Sequence, residues 1–362
     1  MNLYRKALTA VLLLACNYTY AQVEQDGPYV TRSANKILVS YVLSNEVITD
    51  TLAGNEAIQV RFAQHSDWDF SFKLHADIAV QPVAYKPVDK LMVLSDIEGE
   101  FEAFRSLMLA NKVIDKKYNW IYGKGHLIIC GDLFDRGKEV MPYLWLLYKL
   151  EEDARRKGGF VHVLLGNHDV MNLAGDLRYV APKYQASEKL LGLSHAQLIS
   201  PETEIGKWLR SKNAIEKIGD KLFLHGGISP EINALSLNLQ AINEKCRSYY
   251  GIPTKKLDEE GKLFMSASGP FWYRGYFGKN RTNIATVDST LIKFDVKQII
   301  VGHTITAQNI AAYYGGKVVG VDVDQHRGNR KALLFKGKQT FVVDDKQQQK
   351  ILTLAGDSGE IE

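Results

Sequence analysis

Five short apolar runs, each leading into a cluster of Gly with Asp, Asn or His, constrain this chain more than any other feature. The runs are Leu91 to Leu94, Leu127 to Cys130, Val161 to Leu165, Leu222 to Leu224 and Ile299 to Val301, all short enough to be buried strands. They lead into Asp96-Ile97-Glu98-Gly99, Gly131-Asp132-Leu133-Phe134-Asp135-Arg136-Gly137, Gly166-Asn167-His168-Asp169, His225-Gly226-Gly227 and Gly302-His303-Thr304. In open α/β sheets the loops leaving the strands are free to carry polar groups into one crevice. Alone, Asp96-Ile97-Glu98-Gly99 reads as a turn with solvated charges. Five such segments in order point to one site.

From Lys90 onward, strands alternate with helices. Phe101, Phe104, Leu107 and Met108 recur at helical spacing, as do Val140, Leu144, Leu147 and Tyr148 before Gly158-Gly159 stops the pattern. This alternation predicts an α/β domain with parallel strand pairs over residues 89–345. Past Asn172 a mostly helical insertion runs to about Gly219, and a second strand-rich half begins at Lys221. Residues 22–88 have a different texture. Ile58, Val60 and Phe62, then Phe70, Phe72 and Leu74, alternate with polar neighbours, with turns at Gly54-Asn55 and Ser66-Asp67. We read this stretch as an antiparallel β extension that covers a sheet edge. Residues 346–362, with the Gln347 to Gln349 run, read as a solvated tail.

The first 21 residues read as a signal peptide. Arg5 and Lys6 precede an apolar run from Ala7 to Ala15, and Thr19-Tyr20-Ala21 offers small residues before a cut at Gln22. The expected destination is the periplasm or the exterior. Leu13-Leu14-Ala15-Cys16 supports a rival reading, a lipoprotein anchored through Cys16. No other run reaches the length of a membrane span. The formal charge of +4 drops by two with Arg5 and Lys6. That near balance argues against a nucleic-acid partner held through many phosphates. Beyond Cys16 only Cys130 and Cys246 remain, so no disulfide framework is expected.

The residue types in the five clusters suit two metal ions. Hydrolysing a phosphate monoester needs a nucleophile at neutral pH and neutralised charge on the transferred group, and two cations about 3.5–4 Å apart supply both. Asp132 is the candidate shared carboxylate. Asp96 and Glu98 would complete one ion, and Asn167, His225 and His303 the other. If the strand end stays extended at this point, its period of two makes Asp96 and Glu98 point the same way. His168, with Asp135 orienting its ring, is read as the acid that protonates the leaving group. Arg136 would hold the phosphate through its planar fork, with Arg274 as a second clamp.

These motifs resemble the phosphoprotein phosphatase family of metallophosphoesterases, and specifically its Shewanella-like branch, from about Val93 to Lys338. The most telling stretch runs Gly166-Asn167-His168-Asp169-Val170-Met171-Asn172-Leu173-Ala174-Gly175-Asp176-Leu177-Arg178-Tyr179-Val180. The resemblance implies a two-sheet αββα sandwich flanked by helices and hydrolysis of a phosphorylated substrate, protein or small molecule. It also implies direct attack by a hydroxide bridging two metals, without a covalent phosphoenzyme. Family roles fall on Asp96, Asp132, Asn167, His225 and His303 as ligands, His168 with Asp135 as acid, and Arg136 and Arg274 as phosphate contacts; Ile305 also fits. Two positions depart from the pattern. Ser95 and Glu98 stand where Gly-Asp-X-His-Gly has Gly and His, and Asp169 replaces the usual Glu. With Glu98, the first ion has an all-carboxylate shell that favours manganese or magnesium over zinc or iron.

Other polar residues read as bland. His126 and His162 begin strands and look like edge or surface histidines. Asp322, Asp324 and His326 look like the exposed side of a strand through Val321 and Val323, and the aromatics around Arg274 look like packing. Two rivals to a monoesterase stand: a hydrolase of dinucleoside polyphosphates or phosphodiesters, and a degenerate phosphate binder in which Glu98 has weakened the site.

Overall fold

The computed structural model describes residues 23–33, 36–306 and 309–353. The expected leader, 1–21, and Cys16 lie outside them. The chain opens with a three-stranded antiparallel sheet of β1 (Gln25–Ser33), β2 (Lys36–Leu43) and β3 (Glu46–Leu52), then the pair β4 (Ile58–Val60) and β5 (Phe70–Phe72). A two-residue strand, β6 (Ala84–Tyr85), leads into the main body.

Two six-stranded sheets form that body. The first contains β7 (Lys90–Leu94), β8 (His126–Cys130) and β9 (Phe160–Leu164), paired in parallel. The second contains β10 (Ile215–Ile218), β11 (Lys221–Leu224), β12 (Gln298–Val301), β13 (Ala311–Tyr313) and β14 (Val318–Gly320), with β6 at its edge. The chain then returns to the first sheet with β15 (Lys331–Lys336), β16 (Gln339–Asp344) and β17 (Gln349–Ile351), giving the order β17-β16-β15-β7-β8-β9. Helices α1 (Phe101–Ala110) and α2 (Val140–Arg156) make the crossovers between β7, β8 and β9.

Strand alternation decides the layering. Leu91, Val93, Ile128, Cys130 and Leu164 from the first sheet pack with Ile218, Phe223, Ile300 and Val319 from the second in one dry cluster between the sheets. Their neighbours Met92, Leu94, Leu127 and Ile129 on one sheet, and Leu222, Leu224, Ile299 and Val301 on the other, join the larger core that includes the helices. The result is the expected αββα sandwich. Each fully buried Leu, Ile or Val contributes about 1.5–3 kcal/mol, so this double core is the main source of stability.

Three expectations need correction. After α3 (Asn167–Leu173), the helical insertion, with α4 (Pro182–Leu191), α5 (His195–Leu198) and α6 (Glu204–Arg210), ends before Gly219. Ile215–Ile218 is already a strand, because the turn at Gly219 (φ +59°) folds it back antiparallel on β11. The supposed tail also contains a strand, β17, which pairs with Phe341–Val343 at the sheet edge. Finally, most of the N-terminal extension lies over helices, with only β6 at a sheet edge. Phe72 stacks on Trp145 of α2 at 4.3 Å, Trp145 donates to the Pro28 carbonyl at 2.8 Å, and Arg32 forks onto Glu204 of α6 at 2.6 and 2.9 Å. Its alternating apolar faces need a partner surface larger than one edge strand offers.

Four more helices, α7 (Pro230–Ala234), α8 (Leu239–Ser248), α9 (Glu259–Phe264) and α10 (Ile284–Phe294), flank the second sheet. No helix among the described residues is long and apolar enough to cross a membrane.

Candidate metal centre

Each of the five clusters sits where the chain leaves a strand of the two sheets. Asp96 follows β7, Asp132 follows β8, and Asn167 and His168 open α3 after β9, while His225 and His303 follow β11 and β12. The turns are sharp, and Asp96, Glu98, Asp132, Asp135, Arg136 and His303 all have positive φ between 46° and 78°. Asp96 and Glu98 are therefore not on an extended strand end, as the spacing of two suggested. Their orientation is set by cross-loop bonds, Asp96 N–H to the Gly131 carbonyl at 3.1 Å and Glu98 N–H to the Asp132 carbonyl at 3.0 Å. Gly166 is required by proximity, since a Cβ there would collide with the Asp132 carboxylate and backbone.

Four donor atoms converge around His225. Its Nε2 lies 3.0 Å from Asn167 Oδ1, 3.1 Å from His303 Nδ1 and 3.2 Å from Asp132 Oδ2. The other ring nitrogens are engaged by backbone carbonyls, His225 Nδ1 with Cys130 at 2.7 Å and His303 Nε2 with Trp272 at 3.1 Å. A carbonyl only accepts, so each ring spends its proton there and turns a lone pair inward. Lone pairs facing one another in a buried pocket fit a cation.

A second group, Glu98, Asp132 and His168, shares Asp132 with the first group of Asp132, His225 and His303. The electrostatics agree with an excess of buried negative charge. Burial pushes the Asp96 carboxyl up to about 6. Burial works against a charged His225, yet Asp132 and Asp96 push it up to about 9, a proton standing where a metal charge fits. Burial, the neighbouring His225 and Arg274 drive His303 far down and keep it neutral. His225, with His168 and His303, holds Asp132 well below the carboxylate range despite burial.

The structure brings all the sequence-predicted residues to this centre. Asp96 Oδ2 accepts from the His303 N–H at 3.0 Å. His168 Nδ1 meets Asp135 Oδ2 at 2.6 Å, and its Nε2 lies 3.6 Å from Glu98 and 4.0 Å from Asp132. Burial would lower the His168 pKa, but the Asp135 bond together with the charges of Asp132 and Asp135 outweighs it and raises the imidazole above its ordinary value. Arg136 reaches into the same cleft and pairs with Glu98. Arg274 donates to the His303 carbonyl at 2.5 Å and the Thr304 hydroxyl at 3.2 Å, and lines the same cleft. The cleft encloses about 550 Å³.

Several participants escaped the sequence reading. Asn172 donates to Asp135 Oδ1 at 2.8 Å and so helps to orient the acid pair. Asp169, with no assigned role, accepts the backbone N–H groups of Leu133, Phe134 and Gly166 at 2.8, 3.1 and 2.6 Å. The Asp322–His326 stretch is not an exposed strand face. β14 ends at Gly320, Asp322 is 4% exposed, and Asp322, Asp324 and His326 all line the cleft, with His326 against Glu98. His162 is also buried rather than at the surface, bonded to Glu216 at 2.7 Å and to His126 at 2.9 Å, away from the centre.

The calcineurin-like phosphoesterase family model matches residues 90–307, the span that carries all five clusters. The chain belongs to that family. Within it, the chain is 24% identical to Shewanella-like protein phosphatase 2 of Arabidopsis thaliana, over 67% of its own length and 73% of that protein's. It is 29% identical to Shewanella-like protein phosphatase 1 of Plasmodium berghei, over 59% of this chain and 61% of that one. The crystal structure of a cold-active protein-tyrosine phosphatase from a psychrophilic Shewanella species superposes with a TM-score of 0.84. It is 35% identical, covering 91% of this chain and 99% of that one. This calcineurin-like phosphoesterase is thus a phosphatase-type hydrolase of the Shewanella-like kind, with a centre for divalent metal.

Proposed function

We propose that this protein is an exported phosphatase that hydrolyses phosphate monoesters, with phosphoprotein as the substrate class and two divalent ions, preferably manganese, at the centre. The observation that carries the reading is the His168–Asp135 pair, poised beside two donor groups that share Asp132. Asp96, Glu98 and Asp132 would hold one ion, and Asp132, Asn167, His225 and His303 the other. When bound, such ions neutralise phosphoryl oxygens and acidify the attacking water.

The chain's own residues supply the rest. Asp135, itself fixed by Asn172, holds His168 Nδ1, so Nε2 is free to give a proton to the departing oxygen. Arg136 and Arg274 bring positive charge to the lining of the cleft, where the phosphate would bind. A degenerate phosphate binder would need no proton donor, and here the donor is held by Asp135, which Asn172 fixes in turn. The likeness to a protein-tyrosine phosphatase over nearly the whole chain favours protein phosphoesters. A symmetrical bis(5'-nucleosyl)-tetraphosphatase of Buchnera aphidicola is 32% identical, but over only 38% of this chain, which supports the polyphosphate reading less.

The test is a side-by-side assay of p-nitrophenyl phosphate, phosphotyrosine and phosphoserine peptides, and diadenosine tetraphosphate, after chelation and after adding manganese, magnesium or zinc. Turnover of the monoesters, best with manganese, is expected. Full turnover in chelated protein, or cleavage of the dinucleotide alone, refutes the reading. Sequencing the mature N-terminus tests export, with Gln22 expected and a lipidated Cys16 as the contrary result.

A further inference from the structure

His326 is the one imidazole in the cleft to which the family pattern gives no role. It sits on a single 3-10 turn, Gln325–Arg327, that follows β14. Left-handed residues bracket the turn, Asp324 at φ 56° and Gly328 at φ 80°, and buried Gln325 anchors it by donating to the Lys331 carbonyl at 3.2 Å. The turn is thereby fixed over the cleft.

The two nitrogens of the His326 ring face two carboxylates. Nδ1 lies 3.1 Å from Glu100 Oε1, and Nε2 contacts Glu98 Oε2. Carboxylates accept and do not donate, so the ring lies between two acceptors; Glu100 can hold the Nδ1 proton, and a cation shared with Glu98 would then let Nε2 present its lone pair. His225 and His303 show the same arrangement, one nitrogen tied to an outer acceptor and the other aimed at the centre. All three imidazoles come from loops of the second sheet, and all the carboxylates assigned to the ions come from the first.

We propose that His326 is a ligand of the first metal ion, supplying through Nε2 the imidazole that Glu98 removed from the first motif, with Glu100 fixing its tautomer. This inference rests on the two-metal reading above. It changes the first ion's shell from carboxylates alone to Asp96, Glu98, Asp132 and His326, a mixed oxygen and nitrogen set.

The experiment measures manganese bound per chain and its affinity, by elemental analysis and calorimetry, in the full-length protein, His326→Ala, and the swap Glu98→His with His326→Gln. Circular dichroism checks that each variant is folded. Two ions are expected in the native protein. His326→Ala should retain one, or bind the second more than about tenfold more weakly, and the swap should return the count to two by restoring an imidazole from position 98. Two ions at native affinity in His326→Ala overturn the proposal. So does a lost ion that the swap fails to restore, since a mere ion-pair partner of Glu98 and Glu100 would behave that way. A native protein that binds fewer than two ions would instead defeat the two-metal reading itself.

Discussion

Replacing Asp169 by asparagine probes one buried carboxyl group that ties two site loops together. Its Oδ1 accepts from Leu133 and Phe134, and its Oδ2 from Gly166, at a position with no exposure. Asparagine has one oxygen. Turned toward Leu133 and Phe134, it sets its NH2 against the Gly166 N–H and leaves that donor unpaired, at a cost of about 1–3 kcal/mol; the other orientation strands two donors and costs about twice that. The first orientation should prevail, so the cost is about 1–3 kcal/mol; burial and then Asp132 push the Asp169 carboxyl up to about 7, so no further loss of charge assistance is added. At about 2–4 °C per kcal/mol for a domain of this scale, Tm should fall by about 2–12 °C. Because Leu133 and Gly166 flank Asp132 and Asn167, the drop should be larger with manganese present than after chelation, since the variant also loses metal affinity. Calorimetry of both proteins, with and without metal, reads these numbers. A Tm within 1 °C of the native value, or an equal drop in both conditions, would refute the argument.

His168→Asn should cut kcat by about 10²–10⁴-fold while two ions stay bound; loss of an ion in elemental analysis would make His168 a ligand instead. Arg136→Lys should lower kcat/KM by about 10–100-fold through the lost fork, and unchanged kinetics would remove Arg136 from substrate binding. Away from the site, burial and then His162 push His126 from 6.5 down to about 4. The folded state therefore resists a proton that the unfolded chain accepts, so stability present at pH 7 is lost as pH falls from about 6.5 toward 4. After discounting for solvent screening this amounts to about 1–2 kcal/mol. Urea midpoints at pH 7 and pH 5 should differ less in His126→Gln than in the native protein, and an unaltered difference would count against the cause given.

The five loops were legible because each follows a short apolar strand, and burial of both sheet faces writes that pattern directly into the sequence. His326 was not. It stands 228 residues from Glu98, and a histidine after Asp322 and Asp324 carries no local sign of the left-handed turn that swings it over the cleft. Asp169 was equally opaque, because its partners are backbone N–H groups, which every residue but proline possesses. The inference that Asp96 and Glu98 share a direction through strand pleating failed for a related reason. The strand stops at Leu94, and hydrogen bonds to the neighbouring loop set the backbone beyond it. Periodicity reads repeating structure well and reads the single-residue turns that build a site poorly.

Because the carboxylates assigned to the ions come from one sheet and the imidazoles assigned to them from the other, bound ions would act as rivets through the sandwich. Ile128 and Ile300 lie in the dry layer between the sheets and touch no ligand, yet the spacing they set is also the spacing across the rivets. Linkage is reciprocal, so whatever free energy the ions gain from that spacing they return as cohesion between the sheets. Stripping the metal should then quicken amide exchange along β8 and β12 together, far from the solvent-facing loops, and adding it back should slow both. A metal bound there would be a structural member of the sandwich as much as a reagent held at its rim.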